Sequence, residues 1–150
     1  MSRGPLTGQG FTLIEMLVVL AILGVLLTIG IFSVQGLHND AGSAAAILKA
    51  SFVETRAQAM ATSSARRIVL SGGALNYARN DACTSGSGWS ALAAPALPDG
   101  VQLSAAPGWS ICFTPRGSLQ TVPTSALGIV DRRQRTAAVQ VYLTGSVVSQ

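Results

Sequence analysis

An uncharged apolar run near the N-terminus constrains this chain of 150 residues more than any other feature. No Asp, Glu, Lys or Arg lies between Glu15 and Asp40, and the stretch from Met16 to Phe32 is nearly all Leu, Val, Ile, Ala and Gly. Because a helix rises about 1.5 Å per residue, about 20 such residues cross a bilayer core about 30 Å thick. The run therefore predicts a membrane-spanning helix. It is longer than the roughly 7 to 15 apolar residues of an ordinary secretory signal.

Composition limits the function classes. Charged residues make up 11% of the chain and hydrophobic residues 49%, which excludes a disordered chain because such chains are polar and rich in charge. Two Cys and one His do not supply the four ligands of a structural zinc site. The single histidine, His38, follows the apolar run, and no nucleophile elbow, phosphate loop or dinucleotide fingerprint is present. We therefore expect neither an enzyme nor a bound metal or cofactor.

A helical pattern continues beyond the apolar run. No proline interrupts the chain from Phe11 to Leu92, which predicts one helix of about 50 residues, apolar in its first half and amphipathic in its second. In the second half, a row of apolar residues recurs at helical spacing and is expected to pack on the rest of the chain. This row consists of Ala46, Ala50, Val53, Ala57, Met60 and Ala61.

The remainder of the chain alternates short β-type runs with turn signals, which predicts an antiparallel sheet packed on the helix and an α+β fold. The predicted strands are Arg67–Leu70, Val101–Leu103, Ser110–Thr114, Leu119–Val122, Ala137–Leu143 and 147–148.

A core this small favours a covalent support. In an oxidising compartment, Cys83 and Cys112 are expected to form a disulfide that contributes about 3 to 4 kcal/mol.

One cluster of basic residues stands out in the second half. The sequence Asp131-Arg132-Arg133-Gln134-Arg135 lies in a predicted loop, and Arg116 lies on a predicted neighbouring turn. Together these arginines are a candidate site for DNA phosphates. The three arginines of the loop could make about three contacts, enough only for weak, salt-sensitive binding. The alternative is a solvated hairpin tip, which is the commoner role of a surface charge run.

The start of the apolar run carries a specific motif. It reads Gly10-Phe11-Thr12-Leu13-Ile14-Glu15, followed by MLVVLAILGVLL. This order resembles the class III signal of type IV pilins and type II secretion pseudopilins. The resemblance implies that prepilin peptidase cuts between Gly10 and Phe11 and that the new N-terminal Phe11 is N-methylated. It also implies that Glu15 of one subunit meets the Phe11 amine of its neighbour in a filament. An unpaired carboxylate in an apolar environment is costly, so this pairing would drive assembly.

The resemblance implies a pilin-like organisation. Residues 1–10 are expected to be the leader peptide, 11–36 a transmembrane and filament-core helix, 37–63 its amphipathic half, and 64–150 the antiparallel β-sheet domain. The precursor would be a single-pass protein of the inner membrane with its C-terminal domain in the periplasm. After assembly it would belong to a pilus or a periplasmic pseudopilus. Its partners would be prepilin peptidase and the other pilins or pseudopilins of a hetero-oligomeric filament.

The C-terminal half is similar, more loosely, to minor pilins and pseudopilins of the GspH/FimT type. The likeness lies in the order of the segments 67–70, 110–117 and 139–145. Two departures are visible. Many family members have proline where this chain has Phe32, and some FimT-type proteins carry a DNA-binding Gly-Arg-x-Arg motif where this chain reads Gly145-Ser146-Val147-Val148. The predicted function is that of a minor type IV pilin. The alternatives are a type II secretion pseudopilin and a DNA-binding minor pilin for natural transformation.

Overall fold

The computed structural model describes residues 12–35 and 39–150, and it leaves out the side chains of 25–35. The chain forms two separate compact units, residues 1–38 and residues 39–150. Gly10 and Phe11, the residues of the predicted cleavage and methylation site, lie outside the described residues, as does His38. Each unit is therefore considered by itself.

The first unit contains helix α1, Leu13–Gln35. Thr12 begins it, because the Thr12 hydroxyl and carbonyl oxygens both accept the Glu15 backbone N–H, at 3.3 and 3.1 Å. A threonine at this position satisfies an amide that has no partner within the helix. No helix among the residues that the structure describes is long and apolar enough to cross a membrane. The side chains of 25–35 and the whole of residue 36 lie outside the described part of the chain, and the transmembrane segment 11–36 stays a prediction.

The second unit begins with helix α2, Asp40–Ala61, which has a start of its own. Asn39 has φ −102° and ψ 88°, outside the helical region, and its side-chain oxygen accepts the Gly42 N–H at 3.0 Å. The prediction of one continuous helix of about 50 residues is therefore wrong. Asn39 followed by Asp40 is a helix start signal, because asparagine is among the strongest N-cap residues and an acid in the first turn complements the helix dipole.

The buried face of α2 differs from the predicted one. Every member of the predicted apolar row, from Ala46 to Ala61, is exposed. The buried residues are Ala41, Ala44, Ala45, Leu48, Phe52, Thr55 and Ala59. Both sets recur at helical spacing, but Leu48 and Phe52 carry more apolar area than the residues of the predicted row, most of which are alanines. Burial of the larger side chains removes more apolar surface from water, and this decides which face packs inward.

The rest of the second unit forms two antiparallel sheets of four strands each, where the sequence predicted a single sheet. The strands are β1 (Ala65–Ser71), β2 (Ala74–Asn80), β3 (Ser90–Leu92), β4 (Gln102–Ser104), β5 (Ser110–Phe113), β6 (Leu127–Val130), β7 (Thr136–Val141) and β8 (Val147–Ser149). The first sheet has the order β3-β2-β1-β5, and the second has the order β4-β6-β7-β8. The segment predicted as a strand over 119–122 makes only an isolated bridge, between Leu119 and Phe113.

The two sheets share a core with α2. Ile68, Ile111 and Phe113 come from the first sheet, and the fully buried residues of the second are Leu127, Ile129, Val139 and Val141. Leu48 and Phe52 of the helix complete this core, and the Phe52 ring lies 6.4 Å from that of Trp109. All the buried hydrophobic residues in the described part of the chain belong to 39–150, so this C-terminal unit carries its own core.

Candidate functional site

The N-terminal motif enters helix α1 through a local capping arrangement. Thr12 and Glu15 are three residues apart, the spacing of a capping box, and the Glu15 N–H bonds to the Thr12 hydroxyl. This role of Thr12 was missed in the sequence, although the Thr-x-x-Glu spacing could have predicted it. The Glu15 side chain is exposed in the first turn, where a carboxylate also complements the positive end of the helix dipole.

Around Glu15, helix α1 exposes a continuous apolar surface. The side chains of residues 13–24 are all exposed, with Leu13 at 80% and Ile14 at 71% of their full accessible area. Contiguous apolar surface of this kind marks a site of contact with a membrane or with other protein chains. Glu15 is the single acidic residue in this described stretch, so any contact that buries the surface must also accommodate its carboxylate.

The predicted disulfide is present. Cys83 and Cys112 are bonded, with their Cα atoms 5.9 Å apart. The bond attaches the loop of residues 81–89 to β5. At the end of the same loop, the centre of the Trp89 ring lies 4.0 Å from the guanidinium carbon of Arg67. Arg67 is on β1, directly opposite Cys112 on β5. A covalent bond and a cation–π contact thus hold this loop on one face of the first sheet.

The basic cluster forms the turn between β6 and β7, and Asp131 organises it. Asp131 is only 3% exposed, and one of its carboxylate oxygens accepts the backbone N–H groups of Arg133 and Arg135 at 2.8 and 3.0 Å. Its other oxygen accepts the Arg135 side-chain Nε at 2.7 Å. Desolvation raises the pKa of Asp131, but these hydrogen bonds and the charge of Arg135 outweigh it, so the pKa lies below its ordinary value.

The arginines of this cluster are therefore not equivalent. Arg135 is neutralised locally by Asp131, whereas Arg132 and Arg133 are exposed. The side chain of Arg132 covers Gly100 in the turn before β4: a methyl group on Gly100 would lie only 2.6 Å from the Arg132 Cδ atom. Arg132 and Arg133 are therefore the two arginines of this turn that are exposed and have no ion-pair partner among the described residues.

Arg116 does not join the cluster. Its turn, residues 114–118, lies against the turn of residues 142–146, since the Leu119 N–H donates to the Leu143 carbonyl at 2.9 Å. The turn of residues 142–146 follows β7, while the arginine turn precedes it, and a six-residue strand is about 20 Å long. Arg116 and the arginine turn thus lie towards opposite ends of β7. The strand between them separates the two.

Arg56 has a structural role that no sequence pattern indicated. This residue of α2 donates from its Nε to the Gly117 carbonyl at 2.7 Å. A methyl group on Gly145, which has φ +79°, would lie 2.7 Å from the same Nε and would overlap the Gly117 carbonyl oxygen. Gly117 also has a positive φ, of 78°. Two glycine turns, one before β8 and one after β5, thus pack on a single arginine of the helix, which only glycine permits at this separation.

Comparison with known proteins bears on the N-terminal motif. The model of the prokaryotic N-terminal methylation motif matches residues 8–31, which include Gly10, Phe11 and Glu15. This prepilin-type signal supports a type IV pilin or pseudopilin family, whose members are structural subunits rather than enzymes. It implies processing by prepilin peptidase, a membrane-anchored precursor and assembly with other pilins. No curated protein and no solved structure matches the chain.

Proposed function

We propose that this protein is a minor subunit of a type IV pilus. The precursor is anchored in the inner membrane by the apolar run of 11–36, is cut between Gly10 and Phe11 and is methylated on Phe11. The C-terminal unit, residues 39–150, lies on the periplasmic side and forms part of the filament surface after assembly. The observation that carries the proposal is the match of the methylation motif to residues 8–31.

Two features of the described residues support it. Helix α1 exposes apolar side chains along 13–24 with Glu15 among them, a surface suited to a neighbouring subunit. Cleavage before Phe11 would create an α-amino group one helical turn from Glu15, so a neighbour's amine could neutralise the carboxylate. Substitution of Glu15 by an apolar residue would then abolish this charge pairing at the interface between subunits. It would not reduce the apolar area that inserts in the membrane.

The test is incorporation into filaments in the native host. We expect Glu15→Ala to leave the protein in the membrane fraction and to remove it from sheared pili. Glu54→Ala is the matched control, because Glu54 is an exposed glutamate of α2, outside the motif, and should leave incorporation unchanged. Normal incorporation of Glu15→Ala would contradict the proposal.

The same motif fits a type II secretion pseudopilin, the first alternative. The two assignments differ in what the cell loses on deletion of the gene. A pilin of the proposed kind is required for surface pili or for pilus-dependent motility and adhesion, whereas a pseudopilin is required for the release of folded exoproteins. Loss of exoprotein release with normal piliation would favour the pseudopilin.

The second alternative, a DNA-binding minor pilin, rests on Arg132 and Arg133, which are exposed side by side at the turn before β7. Two arginines make about two phosphate contacts, so binding would be weak and would fall about tenfold between about 50 and 200 mM salt. The test is a salt series with the C-terminal unit and double-stranded DNA. An Arg132→Ala, Arg133→Ala double variant should lose binding, and Arg116→Ala, at the other end of β7, should keep it. Binding that survives in the double variant would exclude this site.

A further inference from the structure

A cavity of about 580 Å³ opens between α2, the first sheet and the segment that follows β3. Its apolar lining includes Ile47, Leu92 and Pro95, and its polar lining includes Ser51, Arg66 and Tyr77. Its volume lies within the range of small-molecule sites, about 300 to 1,000 Å³, and its mixture of an apolar wall with a few convergent polar groups is typical of them.

Arg66 is the unusual residue of this cavity. It is 7% exposed, and its Nε atom is buried without a hydrogen-bond partner. In the described part of the chain no carboxylate lies within ion-pair distance of it, since the ion pair recorded there joins Arg135 to Asp131. A buried guanidinium without a counter-charge is unfavourable, and an anion in the cavity that Arg66 lines would supply that counter-charge.

The fold places Arg66 on the side of the first sheet that packs on α2. Arg66 precedes the buried Ile68 by two residues on β1, and Ile68 is the register partner of Tyr77 on β2. Side chains two residues apart on a strand share a face, so Arg66 and Tyr77 are diagonal neighbours across the two strands. Both therefore face the same cavity.

Tyr77 adds a second hydrogen-bond donor beside the cation. Its hydroxyl accepts a hydrogen bond from Ser51 at 3.0 Å, which leaves the phenolic proton free to donate into the cavity. Desolvation raises the pKa of Tyr77 to about 12, although the bond from Ser51 lowers it, so this proton is retained throughout the physiological range. A cation and a neutral O–H donor in the lining of one cavity suit an anionic acceptor.

One acidic residue, Glu54, borders the cavity, and its negative charge opposes the binding of an anion. Glu54 is exposed on α2, and its carboxylate accepts the Gln58 side-chain N–H at 2.8 Å. It lies beyond ion-pair distance of Arg66. Because Glu54 is solvated and Arg66 is buried, the repulsion from Glu54 is screened more strongly than the attraction of Arg66 for a ligand in the cavity.

We propose that this cavity is a binding site for a carboxylate carried on a short apolar group. Arg66 and the Tyr77 hydroxyl hold the carboxylate oxygens, and the apolar group lies against Ile47, Leu92 and Pro95. A guanidinium matches a carboxylate in shape and donates to both of its oxygens. The apolar lining favours such a molecule over a fully polar anion of the same charge.

The test is calorimetric and NMR titration of the oxidised C-terminal unit, residues 39–150, which carries its own core. The probe is N-acetyl-leucine, and the neutral N-acetyl-leucinamide and inorganic phosphate are the comparison ligands. We expect N-acetyl-leucine to bind and the amide and phosphate to bind at least about tenfold more weakly. Chemical-shift changes should be confined to the cavity residues.

Variants test the assignment to Arg66. Arg66→Met, which keeps a long side chain without charge, should reduce the affinity for N-acetyl-leucine at least about tenfold, and Tyr77→Phe should reduce it severalfold. Arg133→Met is the matched control, because Arg133 is an exposed arginine of the turn between β6 and β7, outside the cavity, and should bind as the wild type does. Absence of binding to the wild type, equal binding of the amide or of phosphate, or unchanged affinity in a folded Arg66→Met variant would overturn the proposal. Because the assay uses the isolated unit, its outcome is independent of filament incorporation.

Discussion

At the scale of single residues, Asp131 decides the structure of the arginine turn. Its carboxylate bonds to two backbone amides and to the Arg135 side chain, so the ionised form is favoured in the folded state. Since the folded pKa is lowered, the stabilisation is complete above the unfolded pKa of about 3.9 and is lost as the pH falls through the lower folded value.

We therefore expect Asp131→Asn to be less stable than the wild type at neutral pH. The difference in free energy of unfolding should be constant above about pH 5 and should shrink as the pH falls below about 4. Urea unfolding of the C-terminal unit at a series of pH values measures it. Asp99→Asn, a change at an exposed aspartate of another turn, serves as the control. A difference that does not vary with pH would show that the carboxylate charge is not the cause.

Tyr77 gives a second prediction for a single residue, in which stability is lost as the pH rises and not as it falls. Its folded pKa is raised to about 12, mainly by desolvation, so its contribution to stability is complete below the unfolded value of about 10 and is lost as the pH rises towards 12. Absorbance of the tyrosinate band should show one tyrosine ionising near pH 12. Tyr77→Phe should remove that step, and persistence of the step in the variant would refute its assignment to Tyr77.

At the scale of elements, the glycine turns that pack on Arg56 show how tightly the helix and hairpins are joined. Gly145→Ala places a methyl group against the Gly117 carbonyl and Arg56, in addition to the strain of a positive φ. Gly72→Ala is a matched control, because Gly72 has φ +60° but open space around it. We expect Gly72→Ala to cost about 1 kcal/mol and Gly145→Ala about 2 to 4 kcal/mol. Chemical denaturation measures both, and equal costs would contradict the close packing.

Elements also show what the sequence could predict. Its turn signals predicted most strands, including β1, β5 and β7, because Gly and Pro mark chain reversals through local backbone geometry. The buried face of α2 and the division into two sheets were not predictable in this way. Two rows of residues on α2 have the same helical spacing, and the choice between them depends on packing with distant strands. In β2 the apolar alternation covers only Leu75 and Tyr77 before the strand becomes polar at Arg79, which is too short a pattern to predict it.

The candidate site likewise has features that the sequence could predict and features that it could not. The prepilin-type motif at residues 10–15 and the Cys83–Cys112 pair were recognisable because each depends on residue identity and local order. The neutralisation of Arg135, the separation of Arg116 from the arginine turn and the burial of Arg66 depend on tertiary contacts. Charge in the sequence therefore gave no indication of which arginines are paired, or of the cavity.

At the scale of the whole molecule, the disulfide supports the small C-terminal unit. It joins residues 29 apart in sequence, for which chain entropy gives about 3 to 4 kcal/mol. We expect a Cys83→Ser, Cys112→Ser double variant of the C-terminal unit to lose this amount of free energy of unfolding. Reduction of the wild type should lower its stability to that of the variant. A loss below about 1 kcal/mol would mean that the loop of residues 81–89 is held by its other contacts alone.

The central claim is that the chain is made as a precursor with a prepilin-type signal and is processed at residue 10. The most direct measurement is the intact mass and N-terminal sequence of the protein after co-expression with a prepilin peptidase. The account predicts a chain of residues 11–150 that carries one methyl group on the Phe11 amine, and Glu15→Ala should still be cleaved. A chain that retains residues 1–10, or one cut after the apolar run, would contradict it.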